Sequence, residues 1–504
     1  MELYTTSEIK RIDGLAIKEK SITPYSLMEK AAIFSYRAIF DRWPKTKNMI
    51  VFCGKGNNAG DGYLLASLAK KAGVEVTIIC PEKPKNISAA SSQALNLVKS
   101  MKIKILGIKQ FSNLAKPNKK TIIVDALLGI GIKGQVSGKI SSAIKEMNSL
   151  GKTNLVVSLD IPSGLCADTG KILGIAIKAD LTLTYIGLKR GLYTSDGRSC
   201  SGEILLDYLD VKPSIRSKIK NSTYLLDSTK PLNKLINRNL NSHKGNYGHL
   251  MVIGGDKGFG GAAILAAKCA AMSGCGLVSL ATRSVHISAA LNSCPEVMAK
   301  GVDSGQDLES SLGSPDVIVI GPGLGKNAWA EQMLQKTFIE CNNRNIPLVM
   351  DADALNIMTS LKLKVMAPKK LVITPHPGEA ALLLKKDIMR IEEDRFKSAE
   401  ELSKKFNSVT VLKGSGTIVC SNLNKLKLGV CESGNPGMAS GGMGDILSGL
   451  IGSFIAQGLS LQEATETAVE IHSASADLAS HDLGELGLLA SDVMETIRLY
   501  LANF

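Results

Sequence analysis

Several things are scarce in this sequence. Aromatic residues are 4% of its 504 positions, too few for the stacking platforms on which single-stranded nucleic acids lie. The ten cysteines form no Cys-x-x-Cys pair and have no flanking histidines at zinc spacing. That pattern excludes a zinc module and a disulfide framework, and it suits reduced, mostly buried thiols in a reducing compartment. No uncharged apolar run reaches the roughly 20 residues that a membrane span needs. The start, Met1-Glu2-Leu3-Tyr4, has neither a basic n-region nor an apolar h-region. The expectation is a cytoplasmic protein with no nucleic-acid and no membrane partner.

What is present is length, glycine and lysine. A chain of 504 residues exceeds what one hydrophobic core supports, so two to three domains are expected. The net charge of +14 is spread over short lysine groups such as 116–120, which read as a solvated basic surface. Such a field also attracts phosphate-bearing metabolites. The 48 glycines cluster in loops, as in α/β folds whose turns approach a ligand.

Residues 7–40 carry a helical apolar period, with Ser7 as the candidate N-cap. Short apolar strands then follow at 49–53, 74–80, 121–124, 155–159 and 181–185, ending in glycine or aspartate and alternating with helical stretches at 63–71 and 93–99. Strand–helix alternation predicts a parallel sheet covered on both faces. The chain turns polar and lysine-rich from Pro213 to Lys234, where the domain boundary is placed. Alternation restarts with strands at 248–254, 317–320, 348–350, 371–374, 409–413 and 416–420, a small-residue helix at 262–273 and a helical tail. The expectation is two different α/β domains, residues 1–215 and 225–504, without a short-period repeat.

The sharpest N-terminal segment is Gly54-Lys55-Gly56-Asn57-Asn58-Ala59-Gly60-Asp61-Gly62, between a strand and a helix. It is no Walker loop, since Lys55 is not followed by Ser or Thr, and its G-x-G-x-x-x-G spacing is not the dinucleotide fingerprint. Two further strand ends add polar groups. One is Asp125, leading to Leu128-Gly129-Ile130-Gly131-Ile132-Lys133-Gly134; the other is Asp160-Ile161-Pro162-Ser163-Gly164. Strand ends of a parallel sheet are where ligands bind. Asn58, Asp125 and Ser163 are hard oxygen donors suited to a monovalent or a hard divalent cation.

These three segments, in this order, resemble the NAD(P)H-hydrate epimerase family over roughly residues 1–212, with Ala59 where the family has glycine. The resemblance implies a Rossmann-like α/β/α sandwich in which Asn58, Asp125 and Ser163 coordinate potassium. It also implies that the hydrate is held by Asn57, Asn58, Ala59, Gly60, Asp61, by Gly129, Ile130, Gly131, Ile132, Lys133, Gly134, Gln135, and by Asp160. Such a substrate carries a hydroxyl on C6, beside ring nitrogen N1, and inverts by losing and regaining it. A carboxylate and an ammonium could shuttle the proton; Asp160 is the candidate base and Lys133 its acid or pKa-setting partner.

The C-terminal signal is Gly434-Asn435-Pro436-Gly437 through Ser440-Gly441-Gly442-Met443-Gly444-Asp445, a G-x-G-D opening a helix. Glycines admit a phosphoryl group to free helix amides, and Asp445 is placed for an acceptor hydroxyl. This resembles the ribokinase-like superfamily. The segments His243-Lys244-Gly245, Gly321-Pro322-Gly323-Leu324-Gly325, Thr374-Pro375-His376-Pro377-Gly378-Glu379 and Leu412-Lys413-Gly414-Ser415-Gly416-Thr417 narrow it to the ADP/ATP-dependent NAD(P)H-hydrate dehydratases, over about 225–502.

By this resemblance Lys413, Gly414, Ser415, Gly416, Thr417 and Gly444 contact ADP, while Ala263, Gly323, Gly325, His376 and Asp445 face the hydrate. Asp445 is the catalytic residue, and magnesium bridges the phosphates. The departure is Met443, where the family has a hydroxyl residue. The implied function is repair of NADHX and NADPHX: epimerisation of R and S forms, then ADP-dependent dehydration of the S form, in a homo-oligomer. The alternative is a small-molecule kinase of the same superfamily with a non-catalytic N-terminal binding module.

Overall fold

The structure, a computed structural model, describes residues 1–19, 22–84, 87–112, 121–132, 134–360, 367–423 and 425–503. Lys133 and the lysine group at 116–120 lie outside the described residues. The chain divides into two compact units, Met1–Thr223 and Tyr224–Phe504.

The first unit is built on a seven-stranded sheet in the order Lys104–Leu106, Glu75–Ile79, Asn48–Cys53, Ile122–Ala126, Leu155–Leu159, Leu181–Tyr185, Glu203–Asp207, with every pairing parallel. Alternate residues of one strand serve two cores. Met49, Val51 and Cys53 pack in a cluster with the helices Thr6–Lys18, Pro24–Arg42 and Asn57–Lys71. Ile50 and Phe52 pack in the other, with Ile144 and Met147 of Gly138–Leu150. A strand buried on both faces needs apolar residues in an unbroken run, which is what the sequence shows here. The order reverses between Asn48–Cys53 and Ile122–Ala126, so the crevice outside their carboxyl ends lies at a switch point.

One reading of the sequence needs correction. The first helix is capped by Thr5, not Ser7. Thr5 Oγ1 accepts from the Glu8 amide at 3.3 Å and Glu8 Oε2 accepts from the Thr5 amide at 2.7 Å. A capping box needs Glu three residues after the cap, and only Thr5 has it. The polar stretch 213–234 is more structured than its composition indicates. It holds a short helix, Pro213–Arg216, and the strand Thr223–Leu225, and it opens the helix Thr229–Ile236.

The second unit carries a ten-stranded sheet whose edge strands are Thr223–Leu225 and Met298–Gly301. Its central run, Val409–Leu412, Leu371–Ile373, Leu348–Met350, Val317–Ile320, His249–Ile253, Leu277–Thr282, is parallel. Val409–Leu412 then pairs antiparallel with Ile418–Ser421, because residues 413–417 are too few for a crossover. One face is covered by Gly260–Met272 and by Met443–Ala456, Leu461–Leu483 and Ala490–Ala502 of the helical tail.

Candidate active sites

In the first unit the helix Asn57–Lys71 starts at the switch point, and a cavity of about 960 Å³ opens beside it. Asn57, Asn58, Asp61, Gly129–Ile132 and Asp160 all line it. Ala59 and Gly60 are buried in the helix's first turn, while Gly134 and Gln135 are exposed and outside the lining. The two N-terminal helices add Ile9, Ile17, Leu27 and Met28 to the lining, with Asp13 among them.

Asn58 and Ser163 meet at the Leu128 carbonyl, and Asp125 is bonded to Ser163. The carbonyl oxygen accepts from Asn58 Nδ2 at 2.9 Å and from Ser163 Oγ at 3.2 Å. Ser163 Oγ also approaches Asp125 Oδ1 at 2.6 Å, and the Ser163 amide donates to Asp125 Oδ2 at 2.8 Å. Burial pushes the Asp125 carboxyl up, against the opposing hydrogen bonds from Ser163, Leu127 and Ser158. Asn58 Oδ1 is buried with no hydrogen-bond partner, an oxygen left over for a ligand that accepts lone pairs. The donor set therefore fits a cation.

Asp160 lies where Leu159 ends its strand, at φ +66°, with the Ile161 amide bonded back to the Leu159 carbonyl at 2.8 Å. A non-glycine residue there is strained, and such strain collects at functional sites. Its Oδ1 is 2.5 Å from Lys189 Nζ. Lys189 is fully buried and donates also to Thr184 Oγ1 at 2.9 Å and the Tyr185 carbonyl at 2.8 Å. The ammonium that faces Asp160 among the described residues is thus Lys189. Sequence reading missed it, since Lys189 lies in a two-residue strand, Leu188–Lys189, with no flanking motif.

In the second unit the ends of Val317–Ile320, Leu348–Met350, Leu371–Ile373 and Val409–Leu412 meet the start of Met443–Ala456. Lys413 Nζ lies 2.7 Å from Asp351 Oδ1 and 3.9 Å from Glu379 Oε2. Burial alone would lower Lys413, but Asp351, Glu379 and Asp445 hold it above its ordinary value. The helix Met443–Ala456 starts over this ammonium. A Cβ on Gly444 would stand 3.3 Å from Lys413 Nζ and 3.5 Å from Asp351 Oδ2, so glycine there keeps the approach open. The first amides of that helix have no intrahelical partner and favour anions.

Asp445 is pushed up to about 7 by burial, with Asp351 and Asp353 adding and Lys413 opposing. Glu379 is pushed to about 7, again mainly by burial. Asp353 Oδ2 accepts from the Gly325 amide at 3.0 Å, which ties the 321–325 turn to this group. Gly323 has φ +59°, and a Cβ there would fall 2.3 Å from the Phe259 carbonyl. Ala263 is fully buried, its methyl packed beneath Gly254 and Gly255 and not on an open surface. His376 caps the helix Pro377–Leu384: its Nδ1 accepts from the Gly378 amide at 3.0 Å and the Glu379 amide at 3.3 Å. With Nδ1 an acceptor, the neutral ring carries its proton on Nε2, on a side chain that is 57% exposed.

Of the expected nucleotide contacts, Gly414 and Ser415 are exposed in the hairpin loop, Gly416 is buried, and Thr417 Oγ1 donates to the Gly414 carbonyl at 3.0 Å. Met443 points away from this site, into the apolar core beside Ile446 and Leu447; that position offers a ligand its amide. Asp351 and Glu379 were not assigned from sequence, although an aspartate directly after an apolar strand is a usable signal.

Residues 24–191 match the family described as YjeF-related protein N-terminus, and residues 250–499 match NAD(P)H-hydrate dehydratase. The chain is 40% identical over 497 residues to a bifunctional NAD(P)H-hydrate repair enzyme of Coxiella burnetii, covering 99% of both chains. The chain belongs to the bifunctional NAD(P)H-hydrate repair enzymes. The Escherichia coli member of this family is 38% identical over 501 residues, covering 98% of this chain and 93% of that one. Among solved structures, a ribokinase-like superfamily protein of Enterococcus faecalis matches with TM-score 0.51 and 28% identity, over 56% of this chain and 97% of its own. A protein of Streptococcus mutans matches with TM-score 0.51 and 30% identity, over 56% and 99%. As a family member the chain therefore joins a Rossmann-like and a ribokinase-like α/β unit.

Proposed function

We propose that this protein repairs hydrated NADH and NADPH in two steps, one in each unit. Residues of the first unit invert C6 of the hydrate, interconverting R and S forms. Residues of the second dehydrate the S form with ADP, giving NAD(P)H, AMP and phosphate. Its ten free thiols suit a reducing compartment such as the cytoplasm.

The observation that carries the second step is the placing of Asp445 beside Gly444 and Lys413. Hydroxide is a poor leaving group and phosphate a good one, so a phosphoryl group is first moved to the C6 hydroxyl. Asp445 takes the hydroxyl proton, and Lys413 with the first amides of Met443–Ala456 balances charge on the phosphoryl oxygens. Loss of phosphate then restores the reduced ring. The neutral His376, its side chain more than half exposed, and the Gly323–Gly325 turn orient the hydrate. Magnesium, when bound with the nucleotide, neutralises phosphate charge.

In the first unit Asn58, Asp125 and Ser163 would hold potassium, which when bound fixes three strand-end loops together. The orphaned Asn58 Oδ1 supports that reading. Asp160, paired with Lys189, is the base of the inversion.

The test is incubation of the purified protein with mixed R and S hydrates, with and without ADP, following the absorbance of reduced nicotinamide. Full recovery only with ADP is expected. A stable phosphorylated product would instead identify a kinase.

A further inference from the structure

The cavity of the first unit holds a carboxylate to which neither the reaction outlined above nor the relatives' motifs give a part: Asp13. It lies on the helix Thr6–Lys18, on the stripe Ile9, Asp13, Ile17, all three of which line the cavity. Residues at i, i+4 and i+8 share one face. A carboxylate at the centre of an apolar stripe is costly, because an apolar residue would complete the wall and need no solvation.

The position is tightly held. Leu3 and Tyr4 pair in parallel with Leu188 and Lys189, Thr5 caps the helix, and the Thr6 amide donates to Asp168 Oδ1 at 2.6 Å. The backbone of Lys189 is therefore stitched to the segment that launches the Asp13 helix.

Asp13 and Asp160 face the same cavity in opposite circumstances. Asp160 has a direct ammonium partner in Lys189. Asp13 Oδ1 is buried with no hydrogen-bond partner. The charged and titratable groups around them are Lys189, Asp61, Tyr185, Tyr25, Lys10 and Lys55. One buried ammonium thus serves three carboxylates, Asp13, Asp61 and Asp160. Burial, with Asp160 adding and Lys189 opposing, pushes Asp13 up to about 6. A buried carboxyl oxygen without a partner and a carboxylate held by an ammonium are the surroundings of an acid and of a base.

We propose that Asp13 is the general acid of the C6 inversion and Asp160 its base. The assignment rests on the epimerase reading of this cavity. In the forward direction the C6–O bond breaks with its electron pair on oxygen. That oxygen takes the Asp13 proton and leaves as water, while the N1 lone pair closes an N1=C6 double bond. Water adds to the other face of C6, forming the new C6–O bond, and its proton passes to Asp160. The reverse direction exchanges the two roles, and solvent resets the protonation between turnovers.

The experiment uses the full-length protein and follows R-to-S inversion without ADP by separating the epimers, read early against a no-enzyme control because the hydrates interconvert spontaneously. Asp13→Asn is expected to lower kcat for inversion on the order of 10²–10⁴-fold, with KM within a few-fold and dehydration of the S hydrate with ADP unchanged. Asp13→Leu completes the apolar stripe and is expected to hold or raise Tm while losing inversion equally; a purely structural aspartate would instead lower Tm. In the unmutated protein kcat/KM for inversion falls on the alkaline side as Asp13 loses its proton, and Asp13→Asn abolishes that limb. Inversion by Asp13→Asn within threefold of the unmutated protein, or a raised KM with intact kcat, overturns the assignment while leaving the epimerase reading in place. Failure of the unmutated protein to invert either epimer overturns both.

Discussion

Lys413 and Asp351 meet across an intervening strand: Nζ of one lies 2.7 Å from Oδ1 of the other, and Asp351 is only 1% exposed. Thr374, at the end of the strand between them, donates to the same Oδ1 at 2.7 Å. Three neighbouring strand ends are thus joined under the helix start that carries Asp445. Removing one partner of a buried pair leaves the other charge uncompensated. Asp351→Asn is expected to destabilise the second unit by about 3 kcal/mol, since Glu379 stays near Lys413 but at 3.9 Å. Urea unfolding reads this directly; an unchanged midpoint would refute the coupling.

The Asp445 carboxyl must be ionised to accept a proton, and it is raised from 3.8 to about 7. kcat/KM for dehydration of the S hydrate is therefore expected to rise with pH through about 7 and then level off. Asp445→Asn should cost on the order of 10²–10⁴-fold in rate and leave ADP affinity within a few-fold. For stability the sign is the opposite: the folded form binds this proton more tightly than the unfolded one. Stability from this group accordingly falls as pH rises from 3.8 towards about 7 and is flat above. A flat rate profile between pH 5 and 8 would remove Asp445 from the base role.

Arg395 is buried and anchors the 413–417 loop from behind. Its Nη2 donates to the carbonyls of Leu412 and Lys413, each at 3.1 Å, and its Nη1 to Glu392 at 2.7 Å. A lysine lacks the planar fork that serves these partners together. Arg395→Lys is expected to raise KM for ADP severalfold, with kcat little changed. Isothermal titration with ADP checks the binding part, and an unaltered affinity would show that the loop holds itself.

Potassium should raise Tm in the unmutated protein. Asp160→Ala is expected to keep that rise and lose inversion. Asp125→Ala should lose both, because its carboxylate is the only formal charge among the three oxygen donors and accepts from Leu127, Ser158 and Ser163. In each variant, a mixture of epimers stalls after the S fraction is consumed. Rapid, complete conversion by Asp160→Ala would show that this residue is not the base.

The two units are expected to act separately. A chain starting at Ser222 keeps the edge strand Thr223–Leu225 and should dehydrate the S hydrate with ADP unaided. An insoluble or inactive product would place the boundary elsewhere.

What sequence alone determined here is local. Apolar runs ending in Gly54, Asp125, Asp160 and Lys413 mark strands and their carboxyl ends, because strand period and turn chemistry are written within a few neighbours. The strand Leu277–Thr282 escaped that reading: its Ser279 and Thr282 are buried hydroxyls, satisfied by His249 Nε2 at 2.8 Å and the Gly255 carbonyl at 3.0 Å, partners that no local pattern announces. The motifs likewise named Asn58, Asp160 and Asp445, each beside its own glycines. Only the tertiary structure decided which charges these residues face. Lys189 reaches Asp160 across 29 residues and Lys413 reaches Asp351 across 62, while Asp13 enters the cavity from the N-terminal helix. Electrostatic partnership depends on distance in space and on lost water, and neither is legible along a chain.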